Sequence, residues 1–195
     1  MFTLRSILCY KHGVVIPVQF GDSTSRGPSK MISPLEIANL QRTQYAHDMR
    51  NHFDILSLHK TDRLKHYGLH FAKYAGRLAR GSDEPKPVER TLVDAILVSL
   101  STANTLHQDL SKESLNTVSA SRQVDPLRAF ADASGRLADA CEKIDHMEEF
   151  LPLARKANRD IMAWLMCEVK ERKMSLLAEV ERRRKELADR HFYIG

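Results

Sequence analysis

The sequence predicts an all-α fold: a bundle of about five helices behind a short N-terminal arm. Three observations carry that expectation. Gly (8) and Pro (7) are scarce in 195 residues, whereas Leu, Ala, Lys, Arg and Glu, all good helix formers, are plentiful. Apolar residues recur at helical spacing through most of the chain. Two cap-plus-proline signals, Ser33-Pro34 and Asp125-Pro126, mark helix starts.

Residues 1–32 differ from the rest and read as an arm and linker. Val14 to Phe20 is β-branched in character, and Gly21 to Lys30 is rich in Gly, Ser and Pro. Ser33 can cap a first helix, with Pro34 at its first position and Glu36 closing a capping box. Leu35, Ala38, Tyr45, Met49, Phe53 and Leu56 supply its expected apolar stripe, to about Leu58. A second helix starts near Thr61 or Asp62 and runs to Arg80, with Leu64, Tyr67, Phe71, Tyr74, Ala75 and Leu78 facing inward. The Gly81–Pro87 stretch breaks it. A third helix spans about Val88 to Leu110 on Leu92, Ile96, Leu100, Ala103 and Leu106. Ser111 to Val124 has no clear period and reads as a loop. Asp125-Pro126 opens a fourth helix through Phe130, Leu137, Cys141 and Ile144. The last pattern, from about Phe150 to Phe192, reads as one long amphipathic helix that packs on the bundle or on another subunit.

Composition narrows the class. A hydrophobic content of 43% suffices for a sizeable core. Cys9, Cys141 and Cys167 are odd in number, far apart and without metal-ligand spacing, so reduced thiols in a cytoplasmic protein are expected. No apolar run reaches the roughly 18–20 residues needed to cross a bilayer. The N-terminal stretch, interrupted by Arg5, Lys11 and His12, does not read as a secretory signal. Net charge is +5. The densest basic run, Arg182-Arg183-Arg184-Lys185, is bracketed by Glu179, Glu181 and Glu186, so a solvated helix face is expected there rather than a nucleic-acid site. P-loop, Rossmann and hydrolase-elbow motifs are missing.

The strongest functional signal lies in the second and third helices. The third reads Thr91-Leu92-Val93-Asp94, an apolar run, Ala103-Asn104, and then Asp109-Leu110. This resembles the MazG-like, dCTP-pyrophosphatase-like nucleoside-triphosphate pyrophosphohydrolases, whose corresponding helix is written Glu-x-x-Asp, an apolar run, Ala-Asp, and Asp-Leu. Lys73 to Leu78 looks like the family's Gly-Glu-Val-Gly-Glu-Leu segment, and His59 sits where related proteins often carry His. The likeness covers residues 59–110, so residues 33–112 are read as a MazG-like core and 113–195 as helices completing the bundle or an oligomer interface.

The resemblance implies Mg²⁺ held by four carboxylates on two antiparallel helices, where i, i+3 spacing puts each pair on one face. It also implies a homo-oligomer. The chain departs from that pattern. Its second-helix acid positions are filled from among His70, Lys73, Tyr74 and Arg77, and Thr91 replaces the third acid; only Asp94 remains. One carboxylate is a poor anchor for Mg²⁺. Lys73 and Arg77, with Asn104, are therefore the candidate phosphate- or ligand-binding residues, charge standing in for metal. The expectation is a divergent binder of a nucleotide or other phosphorylated ligand with weak or no pyrophosphohydrolase activity. The alternatives are an active enzyme with a remodelled site and a non-catalytic scaffold.

Two other constellations stand out. His66 and His70, at i, i+4, have a spacing able to grip a transition metal, with Asp94 as a third ligand; hydrogen-bonded histidines are the plainer reading. His47-Asp48 is a dipeptide also found in metal-dependent phosphohydrolases, but the further ligands cannot be placed, so chance is the favoured explanation.

Overall fold

A computed structural model describes residues 32–115 and 125–189. The Val14–Phe20 run, its linker and the remainder of the 113–124 loop lie outside the described residues. The described chain is all-α, with seven α-helices: α1 Pro34–Asn51, α2 Phe53–Ser57, α3 Lys60–Arg80, α4 Val88–Leu106, α5 Pro126–Asp145, α6 Leu151–Glu171 and α7 Leu176–Ala188. Short 3₁₀ turns follow α3 and α4. No described helix is long and apolar enough to cross a membrane.

The helix starts form as the sequence dictates. Ser33 accepts from the Glu36 amide and Glu36 accepts from the Ser33 amide, a complete capping box with Pro34 at the first helical position. Asp125 caps α5 through the Leu127 amide, again ahead of a proline. Helix α4 is the axis of the bundle. Leu92, Ile96, Leu100, Ala103 and Leu106 are each 0% exposed, and α4 packs against α1, α3, α6 and α7. Phe130 of α5 meets Phe71 of α3 edge-on and lies 4.7 Å from the Trp164 ring of α6, joining three helices. A polar chain threads the same core: Ser99 Oγ donates to Asn158 Oδ1, and Asn158 Nδ2 donates to Gln108 Oε1. Each buried polar group in it is satisfied.

Five expectations need correction. The first helix does not run to Leu58; it stops at Asn51, and α2 is a separate short helix. Its buried face is also different. Ile37, Leu40, Gln44, His47 and Asp48 are buried, while Leu35, Tyr45, Met49 and Phe53 are exposed. The stripe changes from apolar to polar because its C-terminal half meets Ser101 of α4 and Arg184 of α7 rather than hydrocarbon. Helix α4 ends at Leu106, where His107 turns left-handed (φ 50°), and Asp109 caps the following 3₁₀ turn. The long tail helix is two helices. Lys173 adopts φ 53° between them, and α7 folds back to touch α4 and α1.

Finally, the basic run is not a wholly solvated face. Arg183 is 7% exposed. Arg184 reaches inward, donating to Gln44 Oε1, Thr43 Oγ1 and the Leu40 carbonyl. Arg182 stays outside, paired with Glu179 and Glu186.

Candidate ligand cleft

A cleft of about 490 Å³ opens where α1, α2, α3, α4 and α7 meet. Helix α3 supplies one wall. Residues 66, 70, 73 and 77 recur at four- and three-residue intervals, so His66, His70, Lys73 and Arg77 share a face, and all four line the cleft with Tyr74 and Lys86. Opposite them lie Asp94 and Ser101 of α4, Gln44 and Asp48 of α1, and Arg183 of α7. Lys73, Arg77, Lys86 and Arg183 thus face three carboxylates, Asp48, Asp54 and Asp94. Asn104 is not brought to this cleft. Its amide donates to the Gln41 carbonyl, and it borders a separate shallow hollow.

The α3 wall is crowded with basic groups. Burial, then the neighbouring Lys73, His66 and Arg77, push His70 down to about 4. His66 moves the same way, through burial and Lys73. Lys73 is itself lowered, by burial and then by Arg77. Its ammonium lies 4.9 Å from the Tyr74 ring centre, a cation–π contact, and 3.1 Å from His70 Nδ1. Burial leads each of these shifts, and the neighbouring cations add to it.

The histidine pair is self-satisfied. An ammonium can only donate, so His70 Nδ1 accepts from Lys73 at 3.1 Å and from the Tyr74 hydroxyl at 3.1 Å. The His70 proton then sits on Nε2, which donates to His66 Nε2 at 3.1 Å. Both lone pairs that a transition metal would need on this face are thereby used. Asp94, the proposed third ligand, is engaged elsewhere.

Its partner is Arg183, whose Nε donates to Asp94 Oδ1 at 2.6 Å, both side chains being nearly buried. The donor set does not fit a hard divalent cation. Mg²⁺ wants several oxygen ligands, and Asp94, the acid that the resemblance would assign to it, is held by a guanidinium among further cations. Among the described residues, no group of three or more His, Cys, Asp or Glu is arranged to hold a metal ion.

Asp48 forms the far end. It is 5% exposed and accepts from Gln44 Nε2 at 2.8 Å and from Ser101 Oγ at 2.5 Å. Burial raises its pKa, although both hydrogen bonds oppose the rise. The adjoining His47 is lowered to about 4, first by burial and then by His52 and Arg184, so it is neutral at pH 7. His47-Asp48 is therefore a buried polar pair, and Asp48 faces the cleft.

Arg183, Gln44 and Ser101 were not legible as site residues from motifs, and Asp48 was seen only in a dipeptide set aside as chance. Periodicity did hold a signal. Leu176, Val180, Arg183 and Leu187 are spaced i, i+4, i+7 and i+11, which places Arg183 on the apolar stripe of α7. Ile37, Gln44 and Asp48 sit likewise on the inner stripe of α1. A charged residue at a core position needs a partner, and here the partners lie across the cleft. Comparison with protein-family models, curated proteins and solved structures finds no match to this chain.

Proposed function

We propose that this chain is a divergent MazG-like helical protein that binds a nucleotide or other phosphorylated ligand in the α3–α4–α7 cleft, with weak or no pyrophosphohydrolase activity. One observation carries the reading: Lys73, Arg77, Lys86 and Arg183 line one cleft, while the single retained family acid, Asp94, is closed by Arg183. Guanidinium and ammonium groups suit phosphate oxygens by charge-assisted hydrogen bonding. The apolar wall of Tyr67, Leu97, Val98 and Leu187 gives a ring system a surface to lie on. The weak-activity part rests on the acids that are missing, because a metal that cannot be anchored cannot activate water.

Two further parts belong to the same reading. Cys141 and Cys167 form no disulfide, which suits a reducing, cytoplasmic setting. The exposed Leu35, Tyr45, Met49 and Phe53 on α1 and α2 suit self-association.

Calorimetric titration of nucleoside mono-, di- and triphosphates, beside a turnover assay, tests the proposal. Saturable binding with little turnover is expected. Strong Mg²⁺-dependent hydrolysis of the triphosphate overturns it.

A further inference from the structure

We propose that Arg183 takes the place of the divalent cation in this cleft, so that the ligand's phosphate groups bind there in their metal-free form. The inference rests on the anion-binding reading above and names the chemical form of the ligand that the cleft selects.

The geometry at Asp94 carries it. A guanidinium has five N–H donors in a planar fork. Arg183 spends Nε on Asp94 Oδ1 at 2.6 Å and Nη1 on Glu186 Oε2 at 3.3 Å. Among the described residues no acceptor meets its Nη2. Glu186 does little to neutralise it, because the same carboxylate is shared with Arg90 at 2.5 Å and with Arg182 at 2.8 Å. Asp94 fixes the fork at the cleft wall, as a positioning residue. The N–H donors that Asp94 and Glu186 do not use are left for an incoming oxyanion.

The surroundings exclude a second cation. Lys73 and Arg77 lie 4.9 Å and 5.8 Å from the Tyr74 ring centre, and Arg183 lines the same cleft. A Mg²⁺ ion arriving on a polyphosphate brings two positive charges in beside Lys73, Arg77 and Arg183 and finds Asp94, the carboxylate at their centre, already bonded to Arg183. Metal-free phosphate meets no such cost. In solution, Mg²⁺ binds polyphosphates and withdraws them from the free pool. It therefore competes with the protein for the ligand instead of bridging the two.

The test is calorimetric titration with inorganic pyrophosphate, once with EDTA and once with excess Mg²⁺. The proteins are the wild type, Arg183→Gln, Arg183→Lys and the exposed control Arg182→Gln. Wild type and Arg182→Gln are expected to bind in EDTA and to lose about tenfold or more in apparent affinity in excess Mg²⁺. Arg183→Gln is expected to bind roughly tenfold more weakly in EDTA. Arg183→Lys, which keeps the charge and loses the fork, is expected to fall between. If Arg183→Gln does not fold, as circular dichroism will show, the lysine variant and the wild-type Mg²⁺ comparison decide the matter. Tighter wild-type binding in Mg²⁺, or folded Arg183 variants that bind like wild type, overturns the proposal. No wild-type binding under either condition removes the anion-binding reading itself.

Discussion

Asp94 and Arg183 are 89 residues apart in sequence and 2.6 Å apart in space. The pair ties α7 to the bundle axis and fills the place where the family resemblance implies a metal. Removing one partner strands a buried charge, which is costlier than removing both. Asp94→Asn is expected to destabilise the protein by about 2–3 kcal/mol, Glu186 offsetting part of the loss. Asp94→Leu with Arg183→Met is expected to recover at least half of that. Urea denaturation of the three proteins checks the order; a double variant weaker than Asp94→Asn contradicts it.

His47 and His70 carry the pH prediction. Both are held near 4, against an ordinary 6.5. The unfolded chain therefore binds protons between those values while the folded chain does not. The stability this gives is full above 6.5 and is lost as pH falls toward 4. Asp48, whose pKa is raised, works in the opposite direction at the acid end: the penalty for burying its carboxylate disappears as it takes up a proton. His47 is buried and His70 half-buried beside solvent, so the loss between pH 7 and pH 5 is expected to be roughly 1–2 kcal/mol. Melting curves across that range check it. His47→Gln with His70→Gln is expected to flatten the profile, and an unchanged profile counts against the assignment.

Phe130 is the mechanical counterpart. It joins α3, α5 and α6 through Phe71 and Trp164 and is 0% exposed. Phe130→Ala is expected to cost about 3–5 kcal/mol. Ala131→Ser, at an exposed position on the same helix, is expected to stay within about 0.5 kcal/mol. Thermal denaturation of the two variants distinguishes a core position from a surface one.

The helices were legible where local chemistry decides them. Ser33, Asp125 and the Leu92–Leu106 stripe specify caps and a buried face without reference to the rest of the chain. The misplaced features depend on tertiary partners. Tyr45 and Met49 look like core residues until Gln44 and Asp48 find Ser101 and Arg184. Lys173 breaks the tail because α7 gains contacts by folding back onto α4 and α1. The cleft was half legible for the same reason. Lys73, Arg77, His66, His70 and Asp94 came from helix spacing and resemblance. Arg183 comes from a distant helix, and only its position on an apolar stripe hints at burial; Asp48 stood in a dipeptide set aside as chance.

Self-association has its own test. Leu35, Tyr45, Met49 and Phe53 are 80%, 50%, 42% and 59% exposed along α1 and α2. Light scattering is expected to give a mass above the 22.3 kDa of one chain. Tyr45→Glu with Met49→Glu is expected to reduce it to one chain. A monomer at all concentrations contradicts this part of the proposal.

The central claim is that the cations of the α3 wall bind phosphate. The most direct measurement is equilibrium titration of a nucleoside triphosphate into wild type and into Lys73→Gln with Arg77→Gln, both at low salt. Saturable one-to-one binding, weakened at least about tenfold by the paired substitution, is the predicted result. Absence of saturable binding, or binding that the substitution leaves unchanged, contradicts the account.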